Sequence, residues 1–186
     1  LDAEKLDGFF VPRADAHQGE YVAAHDERLA WLTSFTGSAG FCIALKEVAG
    51  VFIDGRYRTQ VKSQVAAEYT PVPWPDVKPG AWLREQLPHG GVVGFDPWLH
   101  TAGQLETLRK DLDGSGIELR SVANLVDGIW SDQPSPPMEP ARVHPIDFAG
   151  ESHESKRGRL SKDLAEAGHR SAVITLPDSV CWLLNI

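Results

Sequence analysis

The chain has 186 residues, 42% of them hydrophobic and 24% charged, a balance that suits a folded globular protein and excludes a disordered tract or a fibrous repeat. Its formal charge of -8, with Lys and Arg scattered among more numerous acids, argues against a nucleic-acid partner. No apolar run approaches the roughly 20 residues that span a bilayer, and the opening residues lack the basic and apolar regions of a signal peptide, so no membrane partner and a cytoplasmic location are expected.

Gly8 to Pro12 is a short apolar run ended by proline, which predicts a buried strand. Tyr21, Ala24, Arg28, Trp31, Leu32 and Phe35 recur at helical spacing, so Glu20 to Phe35 is read as a helix stopped by Gly37. Phe41 to Leu45 and Val51 to Ile53 form a hairpin, and Arg56 to Ala67 reads as a helix. Strands then alternate with helices: strands at Tyr69 to Trp74, Val92 to Phe95 and Ile117 to Val122, helices at Gly80 to Leu87 and Thr101 to Leu112 with Thr101 as N-cap.

This order predicts an α/β domain over residues 1–130, with a mixed β-sheet flanked by helices on both faces. Residues 131–150 open on a proline-rich stretch, Ser131 to Pro140, that reads as an extended linker. Residues 151–186 read as the beginning of a second, truncated α/β domain: a basic amphipathic helix at Ser152 to Ala167, a strand at Ser171 to Leu176, and a helix capped by Asp178 that still runs at its apolar end. Cys42 and Cys181 both lie in apolar segments and are expected to be buried, reduced thiols.

Two junctions hold the residue types from which chemistry is built. At the first, Asp26 and Arg28 precede the small-residue turn Gly37-Ser38-Ala39-Gly40. Ser38 lacks the Gly-x-Ser-x-Gly setting of a nucleophile elbow, and Gly37 and Gly40 are read as residues with unusual backbone angles. At the second, Asp54-Gly55-Arg56-Tyr57, the aspartate is placed to cap the following turn, and an ion-pair network is expected to join the two junctions. His17, Glu20, His25 and Asp26 match no metal-ligand spacing and are read as polar surface residues. His89, His100, His144, His153 and His169 are scattered beside turns or on polar faces. Trp74, Trp82 and Trp98 are either core or the lining of a peptide-binding surface.

Val11 to Tyr21 (Val-Pro-Arg-Ala-Asp-Ala-His-Gln-Gly-Glu-Tyr), Glu27 to Gly40 (Glu-Arg-Leu-Ala-Trp-Leu-Thr-Ser-Phe-Thr-Gly-Ser-Ala-Gly) and Phe52 to Tyr57 (Phe-Ile-Asp-Gly-Arg-Tyr) together resemble the N-terminal domain of the aminopeptidase P family, the Xaa-Pro aminopeptidases. Gly94 to Trp98 and Thr175 to Ile186 resemble later landmarks of its long, three-domain, cytosolic type. The resemblance implies two creatinase-like domains preceding a pita-bread metallopeptidase domain that this chain lacks. That domain holds a pair of divalent metal ions, usually manganese, and the parent removes the N-terminal residue from peptides whose second residue is proline. By the same resemblance the chain carries no catalytic or metal residue and no cofactor of its own. Its partners are the missing catalytic domain, proline-second peptides and, as one option, a second copy in a homodimer. Asp26, Arg28, Gly37, Ser38, Gly40, Asp54, Gly55, Arg56 and Tyr57 match the domain's structural signature. Prolidase and creatinase N-domains, and the non-catalytic creatinase-like module of a histone chaperone, are the alternatives.

Overall fold

Along a strand, successive side chains face opposite sides, so a strand apolar at consecutive positions must be covered twice. In the computed structural model, which describes all 186 residues, strand β1 (Gly8–Pro12) sends Phe9 and Val11 to one side and Phe10 to the other. Strands β2 (Gly40–Leu45) and β3 (Ala49–Ile53) behave likewise: Cys42, Val51 and Ile53 join the first side, Ile43, Leu45 and Phe52 the second.

Six strands form one sheet in the order β4-β3-β2-β1-β5-β6, where β4 is Tyr69–Pro73, β5 Gly91–Phe95 and β6 Ile117–Ser121. Strand β2 is antiparallel to both its neighbours, and every other pairing is parallel, as the expected mixed sheet requires. Pro71 and Pro73 fall in β4 at a sheet edge, where a missing N–H costs no ladder bond on the open side.

Helices cover both faces. On the first, Leu29 from α1 (Arg28–Thr33) and Val61 from α2 (Gln60–Gln64) pack with Val126 and Trp130 from the segment after β6. On the second, Trp82 and Leu83 from α3 (Pro79–Gln86) and Leu108 from α4 (Ala102–Asp111) complete the core. Thr101 begins α4 with a full capping box: its hydroxyl accepts from Gln104 N, and the Gln104 side chain accepts from Thr101 N.

Several expectations fail for local reasons. The helix expected over Glu20 to Phe35 is only α1, preceded by a 3-10 turn at Ala24–Asp26. It stops at Ser34, which takes the left-handed conformation at φ 62°, and not at Gly37. The helix expected from Arg56 to Ala67 is a 3-10 turn at Gly55–Tyr57 followed by the short α2. His100 lies beside a turn, as expected, but is only partly exposed. Its ring meets Phe10 edge-on at 4.9 Å and Phe95 at 5.7 Å, and its Nε2 is buried without a hydrogen-bond partner.

The chain divides into two compact units, the sheet unit (Leu1–Ala16 with Glu20–Pro136) and a helical one (His17–Gly19 with Pro137–Ile186). The second holds α5 (Ile146–Ala149), α6 (His153–Glu166) and α7 (Pro177–Leu184). Ser171 to Leu176 is not a strand: it makes no ladder, and Val173 is 91% exposed. Asp178 does not cap α7, whose N-cap is Leu176 with Pro177 as the first helical residue, a position where proline's missing N–H is harmless. Asn185, left-handed at φ 56°, ends α7 and corrects the reading of a helix that runs on.

Lys156 of α6 is 3% exposed, and its Nζ donates to Trp182 O at 2.8 Å and Asn185 Oδ1 at 2.7 Å while lying 4.6 Å from the Trp182 ring centre. A cation thus satisfies the carbonyl end of α7, where the helix dipole favours positive charge. Cys181 is exposed, against expectation, because the apolar face of α7 has few partners in this unit; Cys42 is buried in the sheet.

Burial pushes the His100 imidazole down to about 4 from 6.5, against a weaker opposing pull from Asp96. The folded state therefore keeps a neutral ring while the unfolded state takes up a proton between pH 6.5 and about 4. The stabilisation is complete above pH 6.5 and lost as pH falls through that window, by on the order of 2 kcal/mol once partial solvent screening is allowed for. Urea denaturation of the parent and His100→Phe from pH 7 to 4 is expected to show a shallower acid loss in the variant; equal slopes would refute the assignment.

Candidate functional site

The two junctions are separate constructions. Arg28, 5% exposed at the start of α1, has a guanidinium whose burial would be prohibitive without anionic partners. It finds two. Nε and Nη2 grip Asp127 Oδ1 and Oδ2 at 2.6 and 3.1 Å, and Nη1 donates to Asp26 Oδ1 at 2.8 Å. Burial alone would make the guanidinium a stronger acid, but the hydrogen bonds to Asp127 and then Asp26 outweigh it and hold Arg28 above its usual value.

Gln133 extends the cluster by donating to both Asp127 Oδ1 and His25 O, and His25 Nδ1 donates to Pro134 O at 2.6 Å. Beside it the rings of Trp31 and Trp130 stack at 5.3 Å. The pair therefore ties α1 to the segment that closes the first face of the sheet. Asp127 and Gln133 were not foreseen. The available signal was a lone carboxylate inside the otherwise apolar run Leu125-Val126-Asp127-Gly128-Ile129-Trp130, a position that calls for a cationic partner.

At the second junction, Asp54 caps the turn as expected: its Oδ1 accepts from Arg56 N at 2.9 Å. Its other bonds come from the Arg56 guanidinium, which holds the Asp54 carboxyl below the usual carboxylate range. The expected network between the junctions is absent, since Arg56 pairs with Asp54 and Arg28 with Asp26 and Asp127.

What reaches from the small-residue turn to this junction is a hydroxyl pair. Ser38 Oγ and Tyr57 Oη share a 2.6 Å hydrogen bond, which lowers the tyrosine's affinity for its proton. Tyr57 also meets Phe35 edge-on at 5.5 Å. Thr36 N donates to Gln64 Oε1 and the Gln64 amide donates back to Thr36 Oγ1, fixing the turn to α2.

Gly37 and Gly40 do not adopt left-handed angles. They are small because space is short: a Cβ on Gly40 would sit 2.7 Å from Phe52 O, and one on Gly37 would overlap the Phe35 ring. Gly55 has open space around its missing Cβ, and nothing in the structure explains it.

The chemistry available here is limited. Ser38 is bonded to a phenol and not to a base that could take its proton. No three His, Cys, Asp or Glu side chains come together, and the carboxylates of Asp26, Asp54 and Asp127 are already committed to arginines. This donor set does not fit a pair of divalent metal ions, which needs carboxylate oxygens and imidazoles free to coordinate. Of the tryptophans, Trp82 is core, Trp74 is exposed with one edge against Phe41, and Trp98 is 75% exposed. Burial pushes the Cys42 thiol up to about 12, which removes it as a nucleophile.

Residues 1–129 match the family model described as the creatinase/prolidase N-terminal domain, and residues 132–186 match a second model with the same description. The probable Xaa-Pro aminopeptidase P of Ajellomyces dermatitidis is 36% identical over the whole of this chain, which spans 31% of that protein. The corresponding protein of Neosartorya fischeri is also 36% identical, and the chain spans 29% of it. Among solved structures, X-prolyl aminopeptidase from Caenorhabditis elegans, described as a cytosolic enzyme with a di-nuclear active site, superposes with a TM-score of 0.87 at 34% identity over 97% of this chain and 30% of its own. The N-terminal domain of cytoplasmic peptidase PepQ from Mycobacterium tuberculosis gives 0.54 at 25% identity over 69% of this chain and 90% of its own.

Asp127→Ala leaves the buried Arg28 with one carboxylate and is expected to cost on the order of 2 kcal/mol. Arg56→Ala, at a side chain 64% exposed, is expected to leave the urea midpoint nearly unchanged. Equal losses would show that burial does not separate the two junctions.

Proposed function

Because the chain belongs to the creatinase/prolidase N-terminal domain family, we propose that it is the non-catalytic amino-terminal part of a metal-dependent Xaa-Pro aminopeptidase. The observation that carries this reading is the superposition on the nematode enzyme along nearly the whole of this chain but only 30% of that one. In this reading residues 1–130 are the first creatinase-like domain, 131–150 the linker, and 151–186 the opening of a second such domain. Val143, Phe148, Val173 and Trp182 in the helical unit are exposed, which suits a unit that packs against further chain.

The parent would release the residue preceding proline, a bond whose tertiary amide sets it apart from other peptide bonds. Two divalent metals, manganese in the first instance, would be held by the catalytic domain, and they would supply a hydroxide nucleophile there. The part described here would shape access to that cleft and contribute subunit contacts, in a cytoplasmic protein. The description of the nematode enzyme as cytosolic supports that location.

The test compares this chain with the longest reading frame containing it for manganese-dependent release of the first residue from a short Xaa-Pro peptide. Activity in the longer protein alone is expected. Activity in this chain, once host peptidases are controlled for, would overturn the non-catalytic assignment; inactivity in both would overturn the peptidase assignment.

A further inference from the structure

Pro137-Met138-Glu139-Pro140-Ala141-Arg142, at the start of the helical unit, forms no helix, strand or turn. Every one of these residues is exposed, Met138 at 88%, and none takes part in a backbone hydrogen bond. Proline rings hold φ near -65°, and a residue before proline is pushed to extended angles, so Pro137, Glu139 and Pro140 favour polyproline II. A little further on, Pro145 has φ -58° and ψ 141°, close to that helix.

Polyproline II has three residues per turn. Pro137 and Pro140 therefore share one edge, Met138 and Ala141 a second, and Glu139 and Arg142 the third. The spacing continues back in the sequence to Pro134. Two adjacent edges are thus apolar and the third ends in a guanidinium. Arg142 has neither a carboxylate nor a carbonyl partner, in a protein whose acids outnumber its basic residues 26 to 18.

A spacer needs only stiffness and solubility. It has no use for a bare methionine between prolines or an unpaired arginine two residues after the second one. A partner groove lined by aromatic rings would take the two apolar edges, and a carboxylate beside it would take the arginine. Since proline fixes its own φ and restricts the residue before it, Pro137, Glu139 and Pro140 have little conformational entropy left to lose on docking.

We propose that Pro137 to Arg142 is a docking segment for an SH3-type domain, whose aromatic groove takes Pro137, Met138, Pro140 and Ala141 and whose flanking carboxylates take Arg142. The contact is independent of peptidase activity, because it uses none of the residues at the two junctions.

Fluorescence-anisotropy titration of the full chain, labelled at its amino terminus, against a panel of purified SH3 domains with acidic residues beside the groove tests it. At least one domain is expected to bind in the micromolar range, with Pro140→Ala and Arg142→Ala each weakening it about tenfold or more. Both positions are exposed and make no contact the fold depends on, so circular dichroism of the variants should match the parent. No binding across the panel, or binding that survives both substitutions, would overturn the proposal.

Discussion

A sheet that is apolar on both faces cannot be left open on either. Most of the sheet unit follows from that requirement. The helices after β3, β4 and β5 return the chain to the sheet while covering it, α2 on one face and α3 and α4 on the other. The first face needs a further piece, Val126 and Trp130, and this piece comes from irregular chain that contributes no helical face of its own. It is held instead by charge. The bidentate grip of Arg28 on Asp127, with Gln133 and the Trp31 and Trp130 stack beside it, fixes an irregular segment where hydrophobic burial alone would allow several arrangements.

What could be read from the residues was whatever obeyed a period or a local turn rule. The six strands, the hairpin, the capping role of Thr101 and the turn role of Asp54 all rest on neighbours within a few residues, so short-range reasoning reached them. The failures have a different physical origin. The apolar spacing from Tyr21 to Phe35 looked helical because bulky residues happened to fall at three- and four-residue intervals, whereas Tyr21 is 85% exposed and belongs to no helix. Ser171 to Leu176 had the composition of a strand without a neighbour to pair with. A strand is defined by its partner, and a single segment does not disclose one.

The candidate site divides in the same way. Asp26, Arg28, Ser38, Asp54, Arg56 and Tyr57 were legible as a set, and their grouping was not. Asp127 lies 99 residues from Arg28, beyond any local rule, and pairing with it leaves Arg28 outside any network with Asp54. Ser38 and Tyr57 meet through hydroxyls, a contact that leaves no charge pattern in the sequence. The glycines at 37 and 40 stand out in the sequence, but their physical reason lies in packing. They make room for Phe35 and for the β3 carbonyl at Phe52 and do not bend the backbone into unusual angles, while the left-handed residue at the end of α1 is a serine.

The unequal placing of the two cysteines gives the molecule an internal chronometer. Cys181 stands in solvent, where a maleimide reaches it at neutral pH, while Cys42 is locked between β1 and β3 with its thiol held almost wholly protonated. Once the first thiol has been titrated, the second can react only during moments when β2 parts from its neighbours. The slow phase of alkylation therefore counts openings of the sheet's centre in native buffer, without denaturant and without an engineered probe.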